Sequence, residues 1–499
     1  MVAPPPVPAW VAWTIRRIDS MEICDVEAIV EVPRDRRSHP PPLAYRLYER
    51  IDDWVFGPAT SMRDSDIAPT HLRTRLPPGP LDVVLSFVPT GRSQWPGPAP
   101  RHGVWAIAPA DVDRRRPDPS RFWDVCARRP RTATRVVARR DRHPEVLARS
   151  SAPTDPLSVT RTRDAAAWAS ARLLVDTLTA IHRGGSPPMG DHELWEAQRV
   201  PAPGIITAHA LRTATGGIAA KWRKLWLHGE WFVAVRAKDR EGRVEDGVRT
   251  VPNPPGSYLG DPFPIEIGGR HYLFVEQFFM ADGRGVISVL EPQPDGSWSQ
   301  PRPVLRRDHH LSYPFVFDLE GTAYMVPETG DTGRIELYRA VDFPDRWERA
   351  RVLIDGVTAF DATLHVENGL FWLFANVAET PGDTGELRLY WSRALDGEWR
   401  PHPANPITRD AAGARPAGRL FRRAGTLIRP AQDCSRRYGE AVVLHRVDVL
   451  STTDYRETAV GRIDADWMPG IEATHTYTFD SRYECLDAYR HVRRLARRH

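Results

Sequence analysis

The chain has 499 residues, enough for two or three domains with cores of their own, and its 41% hydrophobic content with 17 Trp excludes a disordered chain. A net charge of only +4, with no element that concentrates Lys and Arg among aromatics, argues against a nucleic-acid partner. No apolar run nears the roughly 18 residues of a membrane span, so none is expected.

Met1 to Trp13 is proline-rich and lacks the basic and apolar regions of a secretory signal. Cys24, Cys126, Cys434 and Cys485 have no paired spacing, which suits a reduced, cytoplasmic protein and offers no metal motif; no cofactor is expected. Lys221, Lys224 and Lys238 are the only lysines, which reads as the high-GC coding bias of a bacterial chain.

Residues 1–190 mix helical and strand patterns. Leu43, Leu47, Ile51 and Trp54 recur at helical spacing and predict an inward face. Pro80–Pro89 and Arg101–Pro109 read as buried strands. Asp164–His182 reads as a helix with Trp168, Leu174, Leu178 and Ile181 inward, stopped at Gly184-Gly185. Strands alternating with helices predict an α/β domain. Residues 191–220, entered through SPPMGD and containing PAPG, read as a linker.

From Lys221 onward a repeat takes over. DPFPIEIGGRHYLF from Asp261, YPFVFDLEGTAYMV from Tyr313, DATLHVENGLFWLF from Asp361 and AGRLFRRAGTLIRP from Ala417 align without gaps. Gly269, Gly321, Gly369 and Gly425 hold the ninth place of each, where a hairpin needs its turn. A second half follows each hairpin (GVISVL, GRIELY, GELRLY, GEAVVL), giving four strands per unit of about 50 residues, a propeller blade. KWRKLWLHGEWFVAV from Lys221 and the tail ATHTYTFDSRYECLDAY would share a fifth. The expected fold is an α/β N-terminal domain followed, over residues 221–499, by an all-β five-bladed β-propeller.

First strands line a propeller's channel, so Asp261, Tyr313 and Asp361 should face one another across it. Two carboxylates from separate blades suit glycoside chemistry, one as base or nucleophile and the other as pKa tuner, though Asp before a strand often only caps a turn. The sixteenth places hold Glu276, Glu328, Asn376 and Gln432, a polar ring at one mouth of the channel. Glu276 and Glu328 are thus candidate general acids, against the plainer reading that they satisfy backbone groups between blades. Arg415, Arg419 and Arg429 share one blade, and two of them in the cavity would select an anionic sugar; surface arginine is the alternative. His310 and His475 are candidate sugar contacts or metal ligands; adjacent His309 would face away from His310.

The stretches HHLSYPF, MVPET, IELYRAVDFPDRW, DATL, ARPAGRLF, RPAQDCSRRYG and THTY resemble the N-terminal region of plant glucosamine inositolphosphorylceramide transferases and their bacterial stand-alone relatives, over roughly residues 220–480. In the plant proteins a glycosyltransferase domain follows; this chain stops at His499 without one, so the resemblance does not carry transfer activity over. The propeller also resembles those of arabinanases, invertases and levansucrases, which use axial carboxylates. Their acid follows the second axial Asp, which adds Glu440 as a third candidate. Residues 1–190 resemble a formyltransferase domain in which Ala106 and Ala108 stand for the catalytic Asn and His, and Arg142, beside Asp141, for the Asp. That implies an inactive domain.

The leading expectation is a glycosidase- or transglycosidase-like propeller that acts on or recognises a glycan or glycolipid precursor. Its rival is a non-catalytic glycan-binding module that partners a separate glycosyltransferase. A formyl or acyl transferase is a weaker third.

Overall fold

The computed structural model describes residues 7–27, 29–30, 43–65, 72–73, 79–87, 97–109, 121–139, 144–184, 201–238, 247–379 and 385–493. Asp141 and Arg142 lie outside them. The chain divides into two compact units, residues 1–220 with 380–383, and residues 221–379 with 384–499.

In the first unit, helices α1 (Ala9–Asp19), α2 (Leu43–Phe56), α3 (Phe122–Cys126) and α4 (Val159–His182) accompany a four-stranded sheet. Val84–Ser86 runs parallel to Val104–Pro109, and Arg131–Arg139 and Pro144–Pro153 continue antiparallel. Helix α4 starts at Ser158, whose hydroxyl accepts from Arg161 N at 3.1 Å, and packs Leu173 and Leu174 against the sheet's Trp105, Val136 and Ala138. Ala106 is buried in the second strand.

Helix α2 turns the opposite way from the expected one. Leu43, Leu47, Ile51 and Trp54 are exposed, while Tyr45, Tyr48 and Asp52 face inward. The reason is polar. Asp52 accepts Thr160 N at 2.7 Å and Asp53 the Thr160 hydroxyl at 2.7 Å, so two carboxylates hold the N-terminal turn of α4, where the helix dipole favours them. Tyr45 and Tyr48 then pack edge-on against Phe122. The segment read as a linker is helical in its second part: α5 spans Pro203–Trp226, with Pro at its first position and Ile206, His209 and Thr213 buried.

The second unit is all β. Sheet A (Ser257–Leu305), sheet B (Ser312–Asp355) and sheet C (Thr358–Pro401) each hold four consecutive antiparallel strands; sheet D (Arg415–Ile463) has its first strand broken in two. Sheet E joins Leu227–Ala237 and Arg249–Thr250 to Ile471–Ala473, Tyr477–Phe479 and Tyr483–Arg493. The first strands of A, B, C and D neighbour one another in that order, and strands of E neighbour the first strand of A. Tyr477 N donates to Ala417 O at 2.8 Å, linking E to D.

The ninth-place glycines turn as the repeat requires, with φ of 73° at Gly269, 78° at Gly321, 73° at Gly369 and 79° at Gly425. Apolar side chains between A, B and C form the largest core, including Phe263, Phe274, Tyr313, Phe315, Trp347 and Leu373.

Candidate functional site

The first strands of A, B and C break register at equivalent places, between Gly260 and Phe263, Ser312 and Phe315, and Phe360 and Thr363. At each break one non-glycine residue adopts a left-handed backbone: Asp261 (φ 47°), Tyr313 (45°) and Asp361 (51°). Such a conformation costs about 1–2 kcal/mol in an L-residue. Here it swings the first residue of each repeat off its strand, into a buried cluster.

Within the cluster Asp261 is clamped. Its Oδ2 accepts Tyr313 N at 3.1 Å, and its Oδ1 accepts the Thr476 hydroxyl at 2.8 Å. Its own N–H donates to Asp487 Oδ2 at 3.1 Å. His475 lies between the two acids, with Nε2 3.5 Å from Asp261 Oδ1 and Nδ1 2.7 Å from Asp487 Oδ2, the latter a charge contact rather than an aligned hydrogen bond. Asp487 Oδ1 also accepts the backbone N–H groups of His475 and Thr476, both at 2.9 Å. The Trp231 ring covers the imidazole at 4.0 Å. Asp261, His475 and Asp487 offer donor atoms within 4.8 Å of one another. Because the two ring nitrogens face different carboxylates, an imidazolium between two anions fits better than a ligand giving one lone pair to a metal.

Asp361 is held from sheet D. Arg415 Nε donates to its Oδ2 at 2.6 Å and Gln432 Nε2 to the same oxygen at 2.7 Å. Arg415 also reaches Glu328 Oε2 at 3.3 Å, and its guanidinium lies over Phe360 (4.9 Å) and Tyr438 (5.0 Å). Glu276 faces His310 across 3.5 Å. His310 Nδ1 accepts Gly285 N at 2.9 Å, so the ring proton sits on Nε2, toward the carboxyl. Tyr313 Oη accepts Gly418 N and meets the Thr363 hydroxyl, both at 2.7 Å, linking the first strands of B and C to sheet D.

The electrostatics are those of crowded acids. Burial raises the Asp261 carboxyl to about 6, opposed by His475 and reinforced by Asp361 and Asp487. Burial, then Asp261, Glu328 and Asp361, drive Glu276 well above the ordinary carboxylate range. Burial and Asp361 do the same to Glu328 against the pull of Arg415. Burial alone would lower His475, but Asp487 and Asp261 outweigh it and raise it. Burial lowers His310. The acids outnumber the cations, and Arg415 is already paired with Asp361 and Glu328. The group expected to draw an anionic ligand therefore has its charge answered within the protein.

Asp261, Tyr313, Asp361, Glu276, Glu328, Gln432, Arg415, His310 and His475 thus come together. Asn376 reaches sheet D, donating to Ala414 O at 3.1 Å. Three candidates do not join. Arg429 is buried in sheet D and grips Glu457 through Nε (2.8 Å) and Nη2 (2.7 Å). Arg419 donates to the Val316 carbonyl and stacks on Phe263 and Phe315, and burial pushes it down to about 10. Glu440 pairs with Arg436 at 3.3 Å and Arg462 at 3.8 Å. In each case a neighbouring strand or loop supplies a partner that repeat position alone does not reveal. Missed from sequence were Asp487, Thr476, Trp231 and Tyr438. Asp487 and Thr476 lie in the tail assigned to the fifth unit, and aligning that tail against Asp261 was the available signal.

Residues 248–478 match the family model described as glucosamine inositolphosphorylceramide transferase 1, N-terminal. The second unit is similar to that region. The protein named glucosamine inositolphosphorylceramide transferase 1 from Oryza sativa subsp. japonica is 38% identical over 258 residues, 48% of this chain and 34% of the relative. Its namesake from Arabidopsis thaliana is 34% identical over 235 residues, 44% of this chain and 31% of the relative. The chain therefore spans about a third of the length of these relatives. Both are plant proteins, and neither supports the bacterial source read from lysine scarcity. Among solved structures, a family 117 glycoside hydrolase of Zobellia galactanivorans gives a TM-score of 0.35 at 13% identity, covering 54% of this chain and 91% of its own. A family 43 β-1,3-galactosidase gives 0.34 at 11%, covering 44% and 82%. Likenesses this loose assign neither a fold nor a site.

Proposed function

We propose that sheets A to E are the blades of a closed five-bladed propeller and that its axial acid cluster is a carbohydrate site of glycosidase or transglycosidase type. The observation that carries this is the gathering of Asp261, Glu276, Glu328 and Asp361 from three successive sheets, with burial and mutual repulsion raising the first three carboxyls. An acid and a base in one such cluster are what glycoside chemistry requires. Asp261 is the base, ionised above about pH 6 and aimed by Tyr313 N and Thr476. Glu276 or Glu328, kept protonated by burial, is the acid. Asp361, fixed by Arg415 and Gln432, supplies the standing negative charge that an oxocarbenium-like centre needs. Tyr438, 48% exposed beside Arg415 and His475, offers a sugar-stacking ring. The surplus of acid favours a neutral or cationic sugar over an anionic one.

One observation favours the binding-module reading. Asp261 (4% exposed), Asp361 (2%) and Glu328 (8%) are almost closed off, and both oxygens of Asp261 already have donors. A panel of glycosides and sugar donors, assayed for binding and turnover, separates the two. On the enzymatic reading Asp261→Asn cuts turnover by orders of magnitude and leaves binding intact, whereas Tyr438→Ala weakens binding. Binding without turnover across the panel would establish the module instead, and loss of neither property in either variant would remove the site.

A further inference from the structure

Thirteen large hydrophobic side chains are exposed among the described residues, and seven of them lie on two helix stretches of the first unit: Leu43, Leu47, Ile51 and Trp54 on α2, and Ile205, Leu211 and Ile218 on α5. Each helix buries a different face. On α2 that face is Tyr45, Tyr48 and Asp52, and on α5 it includes Ile206, His209 and Thr213. The helices are neighbours, with the Tyr48 ring 5.3 Å from that of His209 and a Cβ at Gly217 only 2.9 Å from Val55. Residue 48 beside 209 and 55 beside 217 makes them run parallel. Scattered apolar side chains are ordinary, but this concentration marks a contact surface.

Charge selects the occupant. Arg46 and Arg50 are exposed among the apolar residues of α2. The acids of α2 are all engaged inward: Glu49 with Arg163 at 2.8 Å, Asp52 with Thr160 N and Asp53 with the Thr160 hydroxyl. Helix α5 contains no Asp or Glu. An apolar strip with Trp54, flanked by Arg46 and Arg50, is the composition of a helix lying in the interface of an anionic bilayer.

We infer that the exposed face of α2 is a peripheral membrane-docking surface for anionic lipid. No helix among the described residues is long and apolar enough to cross a membrane, so the contact is one of lying on the surface. The test is sedimentation of the full chain with vesicles of phosphatidylcholine alone or with 30% phosphatidylglycerol. Binding is expected to the anionic vesicles, weakened several-fold by high salt. Each of Arg46→Gln and Arg50→Gln should weaken it by about fivefold, and the pair Leu47→Glu and Ile51→Glu should abolish it. All four positions are exposed, so circular dichroism should stay unchanged. Absence of anionic-vesicle binding, equal binding to both vesicles, or a dimer in light scattering that the Leu47→Glu and Ile51→Glu pair dissolves would each overturn the inference.

Discussion

The second unit buries two charged clusters, and they are built on opposite principles. In sheet D, Arg429 and Glu457 balance one for one; the bidentate guanidinium, helped by His445 and the Tyr455 hydroxyl, holds the Glu457 carboxyl below its usual range although burial opposes this. In the acid cluster around Asp261 the carboxyls outnumber Arg415 and His475, and Asp261, Glu276 and Glu328 are all raised. A balanced pair stabilises local structure. A surplus of buried acid destabilises the fold and keeps protons available, the usual signature of a working site.

The largest stability effect should come from breaking the balanced pair. Glu457→Ala strands the Arg429 guanidinium, which is 1% exposed, and should cost about 3–5 kcal/mol in chemical denaturation without altering sugar binding. A cost below 1 kcal/mol would mean the two clusters are not opposites.

The pH dependence should then run in opposite directions. Asp261 holds a proton in the folded chain up to about pH 6 that the unfolded chain releases near 4, so stability falls as pH rises through that window, by roughly 2–3 kcal/mol. His475, raised by its two acids, acts in the same sense: its contribution is present below the ordinary His range and lost as pH climbs through the raised value. Glu457, lowered, contributes stability above the ordinary Glu range and loses it as pH falls through the lowered value. Denaturation midpoints from pH 2 to 7 should show the decline flattened in Asp261→Asn and the acid-side loss removed in Glu457→Gln. Wild-type slopes in both variants would refute the assignment.

The smallest effect belongs to Glu440. It belongs to neither cluster and its partner Arg436 is 61% exposed, so Glu440→Gln should shift stability by no more than about 0.5 kcal/mol and leave ligand binding unchanged.

What the repeat could reveal was position along a strand. The ninth-place glycines and the first- and sixteenth-place residues mark equivalent heights in successive sheets, which is why Asp261, Asp361, Glu276 and Glu328 could be grouped before any coordinates. It could not reveal partners across strands. Whether Arg429 joins the acid cluster or meets Glu457 depends on which flank of its strand it leaves from, and the repeat does not encode that. The tail was harder still, since Asp487 and Thr476 matter only because sheet E brings residues more than 200 positions apart into contact with Asp261. On α2 a regular apolar stripe was legible but its burial was not, because Asp52 and Asp53 on the other face had a helix end to hold.

Sheet E has a temporal side. Tyr483–Arg493 pairs with Leu227–Ala237 across eleven positions, so the unit's opening strand finds its neighbour some 250 residues later. During synthesis that opening strand, with the apolar run Trp231 to Val235, must wait as an unpaired edge while sheets A to D are made. Sheets A to C can fold on local contacts as they emerge. The acid cluster cannot, since His475, Thr476 and Asp487 arrive last. Truncated or stalled chains would therefore present an aggregation-prone edge and an incomplete charge cluster together, so that completion of the strand order and assembly of the site are one event.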